Sequence, residues 1–124
     1  MKLQPDFSPD TQMVSAYGPG YIEVNGLRHT SACVFAPQQS PKPWGAEHVG
    51  ALLPAHIDAL LLDPLPEVVL IGTGREQHLL PAALMRQLIS RRIGWEVMDT
   101  AAACRTYNIL AGEGRRVLAA LMIE

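Results

Sequence analysis

Glu67-Val68-Val69-Leu70-Ile71-Gly72-Thr73-Gly74 is the stretch from which the architecture of this chain can be read. Its apolar residues run without a polar interruption, as in a strand buried on both faces. Glycines follow at once, so the chain turns where the strand ends. A strand covered on both faces needs helices beside it, and the next segments supply them. Residues 80–92 (LPAALMRQLISRR) read as a helix with Pro81 near its first turn and Leu84, Leu88 and Ile89 on one face. Gly94 breaks it, and Trp95-Glu96-Val97-Met98 is a second short strand. Residues 99–111 (DTAAACRTYNILA) read as a second helix, with Asp99 or Thr100 as N-cap and Gly112 and Gly114 at its end. The apolar run 116–122 could be strand or helix by composition, and a strand completes a β-α-β-α-β unit. Strands 67–71, 94–98 and 116–122, joined by helical crossovers, are expected to pair in parallel with right-handed connections.

Upstream the pattern differs. Residues 46–62 carry Leu52, Leu53, Ile57, Leu60, Leu61 and Leu62, and Pro54 fits the first turn of a helix over 54–62. Pro64 and Pro66 end it. Residues 36–45 (APQQSPKPWG) hold three prolines and read as a connection, with Trp44 plugging it onto the core. Gly18-Pro19-Gly20 and Asn25-Gly26 separate β-prone runs, and Asn-Gly favours a type I′ hairpin turn. Residues 12–35 therefore predict a three-stranded antiparallel meander. Residues 1–11, with two prolines and two aspartates, read as a flexible N-terminal arm. The expected fold class is α/β: one three-layer domain over 12–124, a mixed sheet with a parallel β-α-β-α-β core and an N-terminal antiparallel β extension.

Composition narrows the function. The 124 residues are 48% hydrophobic and 18% charged, so one ordinary core is within reach and overall disorder is excluded. Ten basic and twelve acidic residues leave a net charge of −2. The longest basic clusters are the pairs Arg91-Arg92 and Arg115-Arg116, too little for a nucleic-acid groove. Aromatic residues are only 6%, so Trp44, Trp95 and Tyr107 read as core or interface anchors, not as a base-stacking platform. Cys33 and Cys104 are too few for a disulfide framework or a cysteine-based zinc site. His29, His48, His56 and His78 show no metal-ligand spacing, so no metal is expected. No apolar run approaches the ~20 residues of a spanning helix, and no secretory or transit signal is read at the start. The expectation is a cytoplasmic protein with reduced thiols, no direct membrane insertion and no nucleic-acid partner.

Two segments carry candidate chemistry. Gly72-Thr73-Gly74-Arg75 follows a parallel strand, where open α/β sheets bind ligands, and its amides suit an anion. It is neither a Walker A loop nor a full GxGxxG, since residue 77 is Gln. Tight-turn glycines explain it equally well. The second segment is the helix start at Thr100, with Cys104, Arg105, Thr106 and Asn108. Arg105 suits a phosphate or carboxylate, or else a structural salt bridge to Asp99 or Glu113. Cys104 is a nucleophile only if its pKa is lowered, and a buried free cysteine is the plainer reading. His78 is the histidine placed to face a ligand. The ligand-binding candidates are thus Gly72, Thr73, Gly74, Arg75, His78, Thr100, Cys104, Arg105, Thr106 and Asn108. No catalytic set and no cofactor motif is complete.

Ile71-Gly72-Thr73-Gly74, Met98-Asp99-Thr100-Ala101-Ala102-Ala103-Cys104-Arg105-Thr106-Tyr107-Asn108 and Glu113-Gly114-Arg115-Arg116-Val117-Leu118-Ala119-Ala120-Leu121 together resemble the small Mth938-like family, a domain of unknown function. The resemblance covers roughly residues 12–124. It implies a three-layer α/β fold with an added antiparallel β portion. Relatives in that family include the mitochondrial complex I assembly factor 3 and the adipogenesis-associated domain protein of animals. It implies action through protein partners, and it supplies no catalytic residues. The leading expectation is a non-catalytic protein-binding or assembly factor linked to membrane or respiratory complex biogenesis. The rival is a small-molecule or anion site, or an enzyme using Cys104 or His78, between the Gly72–Arg75 loop and the Thr100–Asn108 helix start. A homo-oligomer through the apolar 46–62 region is a third.

Overall fold

The computed structural model describes residues 10–124. The expected arm, residues 1–11, lies almost wholly outside the described residues. Strands β1 (Val14–Gly18), β2 (Tyr21–Val24) and β3 (Leu27–His29) form an antiparallel three-stranded sheet. Asn25 and Gly26 both take positive φ, 50° and 83°, and Val24 pairs with Leu27 across them, as a type I′ turn requires.

The meander ends sooner than the sequence suggests. The run 27–35 breaks at residues 30–32, where the Ala32 amide donates to the Glu47 carboxylate at 2.9 Å. The chain then changes sheets. Strand β4 (Cys33–Ala36) pairs with the last strand, β8 (Val117–Met122). The proline-rich connection is also an element: β5 (Gln39–Pro43) pairs antiparallel with β4 at the sheet edge. Pro41 and Pro43 are tolerated there because an edge strand need not donate on both sides.

The five-stranded sheet has the order β5-β4-β8-β6-β7. Strand β6 (Val68–Thr73) pairs in parallel with both β7 (Gly94–Met98) and β8. It runs two residues past the apolar run, so Gly72 and Thr73 belong to the strand. The sheet is mixed, as expected, with the three parallel strands where the sequence placed them.

Side-chain alternation makes three layers. Leu70, Ala119 and Leu121 face a core shared with helix α3 (Thr100–Gly112) and the small sheet. Val69, Ile71, Leu118, Ala120 and Met122 face the opposite core. Helix α3 buries Thr100, Ala103, Cys104, Tyr107 and Ala111, a spacing that keeps one face inward. Tyr107 meets Phe35 edge to face, with centroids 4.8 Å apart, worth about 0.5–1.5 kcal/mol beyond burial.

The second core is closed by α1 (Pro54–Asp58), α2 (Arg86–Ser90) and Trp44. Trp44 is buried as expected, its indole N–H donating to the His56 carbonyl. Both helices are shorter than the sequence implies. A 3₁₀ turn over Ala82–Met85 precedes α2, and Met85 and Leu88, three residues apart, are the buried pair. Ile89 is exposed instead. Ala46, Leu52, Ile57 and Leu60 lie inside this core, so most of the apolar 46–62 segment is covered by the chain itself. Among the described residues no helix is long and apolar enough to cross a membrane.

Candidate functional site

The carboxyl ends of β6, β7 and β8 converge on the start of α3, and the residues there are tied together. Asp99 caps the helix, its carboxylate accepting from the Ala102 amide at 2.8 Å. The buried Thr100 hydroxyl accepts from the Gly74 amide at 2.8 Å and donates to the Met122 carbonyl. The Thr100 amide donates back to the Gly74 carbonyl at 2.9 Å. The ends of β6 and β8 and the start of α3 thus meet on a single hydroxyl.

Gly72 is required by close approach. A Cβ there would lie 2.8 Å from the Thr100 hydroxyl and 3.0 Å from its Cα. Gly74 is required by its φ of 92°. Thr73 is buried, and its hydroxyl donates to the Glu76 carbonyl at 2.6 Å and accepts from the His78 amide at 3.2 Å. The loop is held in shape by its own hydrogen bonds. Its amides at Gly74 and His78 already have partners.

A cleft of about 340 Å³ opens beside this knot. Gly74, Arg75 and Thr100 line it, together with Asp99, Glu124 and the β1–β2 turn around Pro19. A shallower depression of about 440 Å³, lined by Thr73, Arg75, Glu76, His78 and Glu124, shares Arg75 and Glu124 with it. Asp99 and Glu124 against Arg75 make the cleft mixed in charge.

The other sequence candidates have different surroundings. Cys104 is buried in the core, and burial, then the neighbouring Cys33, push its thiol up to about 12. It is a protonated core thiol at neutral pH. Thr106 points its hydroxyl at the Met98 sulfur, 3.6 Å away. Asn108 clamps β1 to the helix, accepting from the Val14 amide at 2.9 Å and donating to the Val14 carbonyl at 2.8 Å.

Arg105 is exposed and makes no ion pair with Asp99 or Glu113 among the described residues. It donates instead to the Tyr17 hydroxyl at 2.9 Å. Tyr17 is itself 38% exposed and lines the cleft. Ile109, one turn beyond Arg105 on the same helix face, is 60% exposed. Tyr17, Arg105 and Ile109 therefore form one outward-facing patch. Sequence reasoning missed Tyr17 and Ile109. The available signal was Tyr17-Gly18-Pro19-Gly20-Tyr21, two tyrosines bracketing a turn.

A family model described as Protein of unknown function (DUF498/DUF598) matches residues 14–122. The chain belongs to this family. Among curated DUF498/DUF598 relatives, the NADH dehydrogenase [ubiquinone] 1 alpha subcomplex assembly factor 3 of Rattus norvegicus is 30% identical over 120 residues. That alignment covers 97% of this chain and 64% of the rat protein, so the chain spans under two-thirds of that relative. A crystal structure of a Bordetella parapertussis protein is 45% identical with a TM-score of 0.87, covering 92% of this chain and 97% of that one. A solution structure from Bordetella pertussis, described as a Mth938-like domain, is 39% identical with a TM-score of 0.83, covering 98% and 92%. The Mth938-like fold implied by the sequence is the fold observed.

Proposed function

We propose that this protein is a non-catalytic binding protein of the cytoplasm that assists assembly of a membrane or respiratory complex by holding a protein partner. The observation that carries this reading is the 30% identity with an assembly factor along 97% of the chain. The patch of Tyr17, Arg105 and Ile109 supports it. Tyrosine and arginine around an exposed aliphatic side chain is the composition of interface hot spots. Its residues sit on α3 and β1, which pack together, so the surface is rigid.

The test is affinity purification of the tagged protein from its own cells, beside Arg105→Ala and Ile109→Asp variants that keep the native circular dichroism. The wild type should enrich subunits of one membrane complex, and both variants should lose them at least about tenfold, the loss of ~1.4 kcal/mol. Recovery of the protein alone from all three samples sinks the reading.

A second reading is a small-molecule site in the cleft beside Gly74, Arg75 and Thr100. Its position beyond the carboxyl ends of parallel strands favours it. The charge mixture of Arg75 with Asp99 and Glu124 favours a zwitterion over a phosphate. A thermal-shift screen of amino acids and phosphorylated metabolites separates the two readings, because the assembly reading predicts no shift from either class.

A further inference from the structure

An apolar hollow lies at the opposite end of the sheet. It is a groove of about 380 Å³ at the amino ends of the parallel strands. Leu62, Pro64, Pro66, Ala111, Val117 and Leu118 build its walls. Gln38 of the β4–β5 turn, Gln39 at the start of β5, and Arg115 and Arg116 also line it.

The size fits a small molecule, within the roughly 300–1,000 Å³ of ligand sites. A stable protein interface instead needs about 800 Å² from each partner, more than this groove offers. The lining described contains two guanidinium groups and no carboxylate. The two arginines are not equivalent. Arg115 is paired with Glu67 at 3.3 Å. Arg116 is anchored through Nε to the Leu65 carbonyl at 3.3 Å; its backbone amide donates to the Glu67 carboxylate at 2.9 Å, and that carboxylate, though it acts on the Arg116 charge, makes its side-chain ion pair with Arg115. The carbonyls of Ile109, Leu110 and Ala111 at the end of α3 are capped by the amides of Glu113, Gly114 and Arg115. They therefore present no bare acceptors to an anion.

We propose that this groove binds an aliphatic carboxylate of medium chain length, its tail along Leu62, Pro66 and Val117 and its carboxylate on Arg116. A guanidinium fork matches a carboxylate in shape and charge. The site is separate from the α3 patch and from the cleft at Gly74, so it stands or falls independently of both.

The experiment is nuclear magnetic resonance titration of the whole labelled chain with hexanoate, octanoate and decanoate below their micelle concentrations. Amide shifts should saturate and map to Leu62, Ala111, Val117 and Leu118. Affinity should rise about fourfold per methylene until the groove is full. Decanol should bind about tenfold more weakly than decanoate, and Arg116→Ala should weaken decanoate by about tenfold, as loss of a charged hydrogen bond does. Arg116→Lys should recover part of that loss. Unsaturable shifts, shifts mapping elsewhere, or equal binding of decanol and decanoate would overturn the proposal. So would unchanged affinity in an Arg116→Ala protein whose other resonances are native. If the groove resonances instead move with protein concentration and no carboxylate binds, a second copy of the chain fills the groove and the proposal falls.

Discussion

Gly72 shows how one missing methyl group sets local geometry. It is paired with Met98 on one side and Leu121 on the other, and Thr100 sits over it. Gly72→Ala would place a methyl 2.9 Å from Leu121 Cδ2 and 3.0 Å from the Thr100 backbone. The side chain of Leu121 can rotate away, but the helix start cannot move without releasing its bonds to Gly74 and Met122. The variant should lose about 1–3 kcal/mol. Urea denaturation should show a lower midpoint with an unchanged slope. A wild-type midpoint would mean that α3 is not held as tightly as these bonds imply. The same locality explains which part of the site could be read in advance. The loop 72–75 and the capped helix start are each defined by neighbours in sequence, so glycine and cap chemistry revealed them. The partner of Arg105 is 88 positions away, and no local pattern points from Arg105 to Tyr17. The third wall of the cleft, the β1–β2 turn, is likewise brought in only by the fold.

At the scale of elements, Asn108 decides how the small sheet meets the large one. Its amide group bonds both the N–H and the C=O of Val14, at the bulged end of β1. Asn108→Leu preserves bulk but leaves two part-buried backbone groups without that partner. It should cost about 1–3 kcal/mol and speed amide exchange in β1 more than in β6. Uniform exchange across both sheets would mean that β1 is held by other contacts. Elements whose pattern and packing agree were legible. Helix α3 buries residues at helical spacing, and β6 and β8 alternate between two cores. Three segments were less legible because tertiary contacts outweigh local preference. The break at 30–32 is set by Glu47, fifteen residues away from Ala32. Strand β5 exists because its edge position tolerates prolines that would disqualify a central strand. Helix α2 is short, with Met85 and Leu88 buried and Leu84 partly buried against the core, while Ile89 faces outward.

For the whole molecule, the core between α3 and the two sheets holds Cys33, Cys104 and Tyr107, all with ionisable groups kept neutral. Burial, then Glu47, pushes the Cys33 thiol from its ordinary 9.0 up to about 12, and Cys104 is raised to the same value. Burial also raises the Tyr107 hydroxyl, which donates to the Gln12 carbonyl at 2.8 Å. Each group has a higher pKa folded than unfolded, so its contribution to stability is full below the unfolded value. Above pH 9 the unfolded chain sheds thiol protons that the folded chain keeps. Stability should then fall as pH rises, through the window from about 9 to about 12. The slope for one thiol approaches about 1.4 kcal/mol per pH unit. Tyr107 adds to it once pH exceeds its ordinary 10.0. Urea denaturation at pH 8, 9 and 10 under reducing conditions measures this directly. Cys33→Ala and Cys104→Ala should each lower the slope by about one thiol's share, because both thiols stay protonated in the folded chain throughout this range. The double Cys33→Ala, Cys104→Ala protein should be nearly flat up to pH 10. An equal slope in the double variant would place the pH dependence outside this core. In the native protein at pH 8 both thiols should react with an alkylating reagent at one common slow rate. Cys33 lies on β4 and Cys104 on α3, so a single opening of the whole core exposes them together.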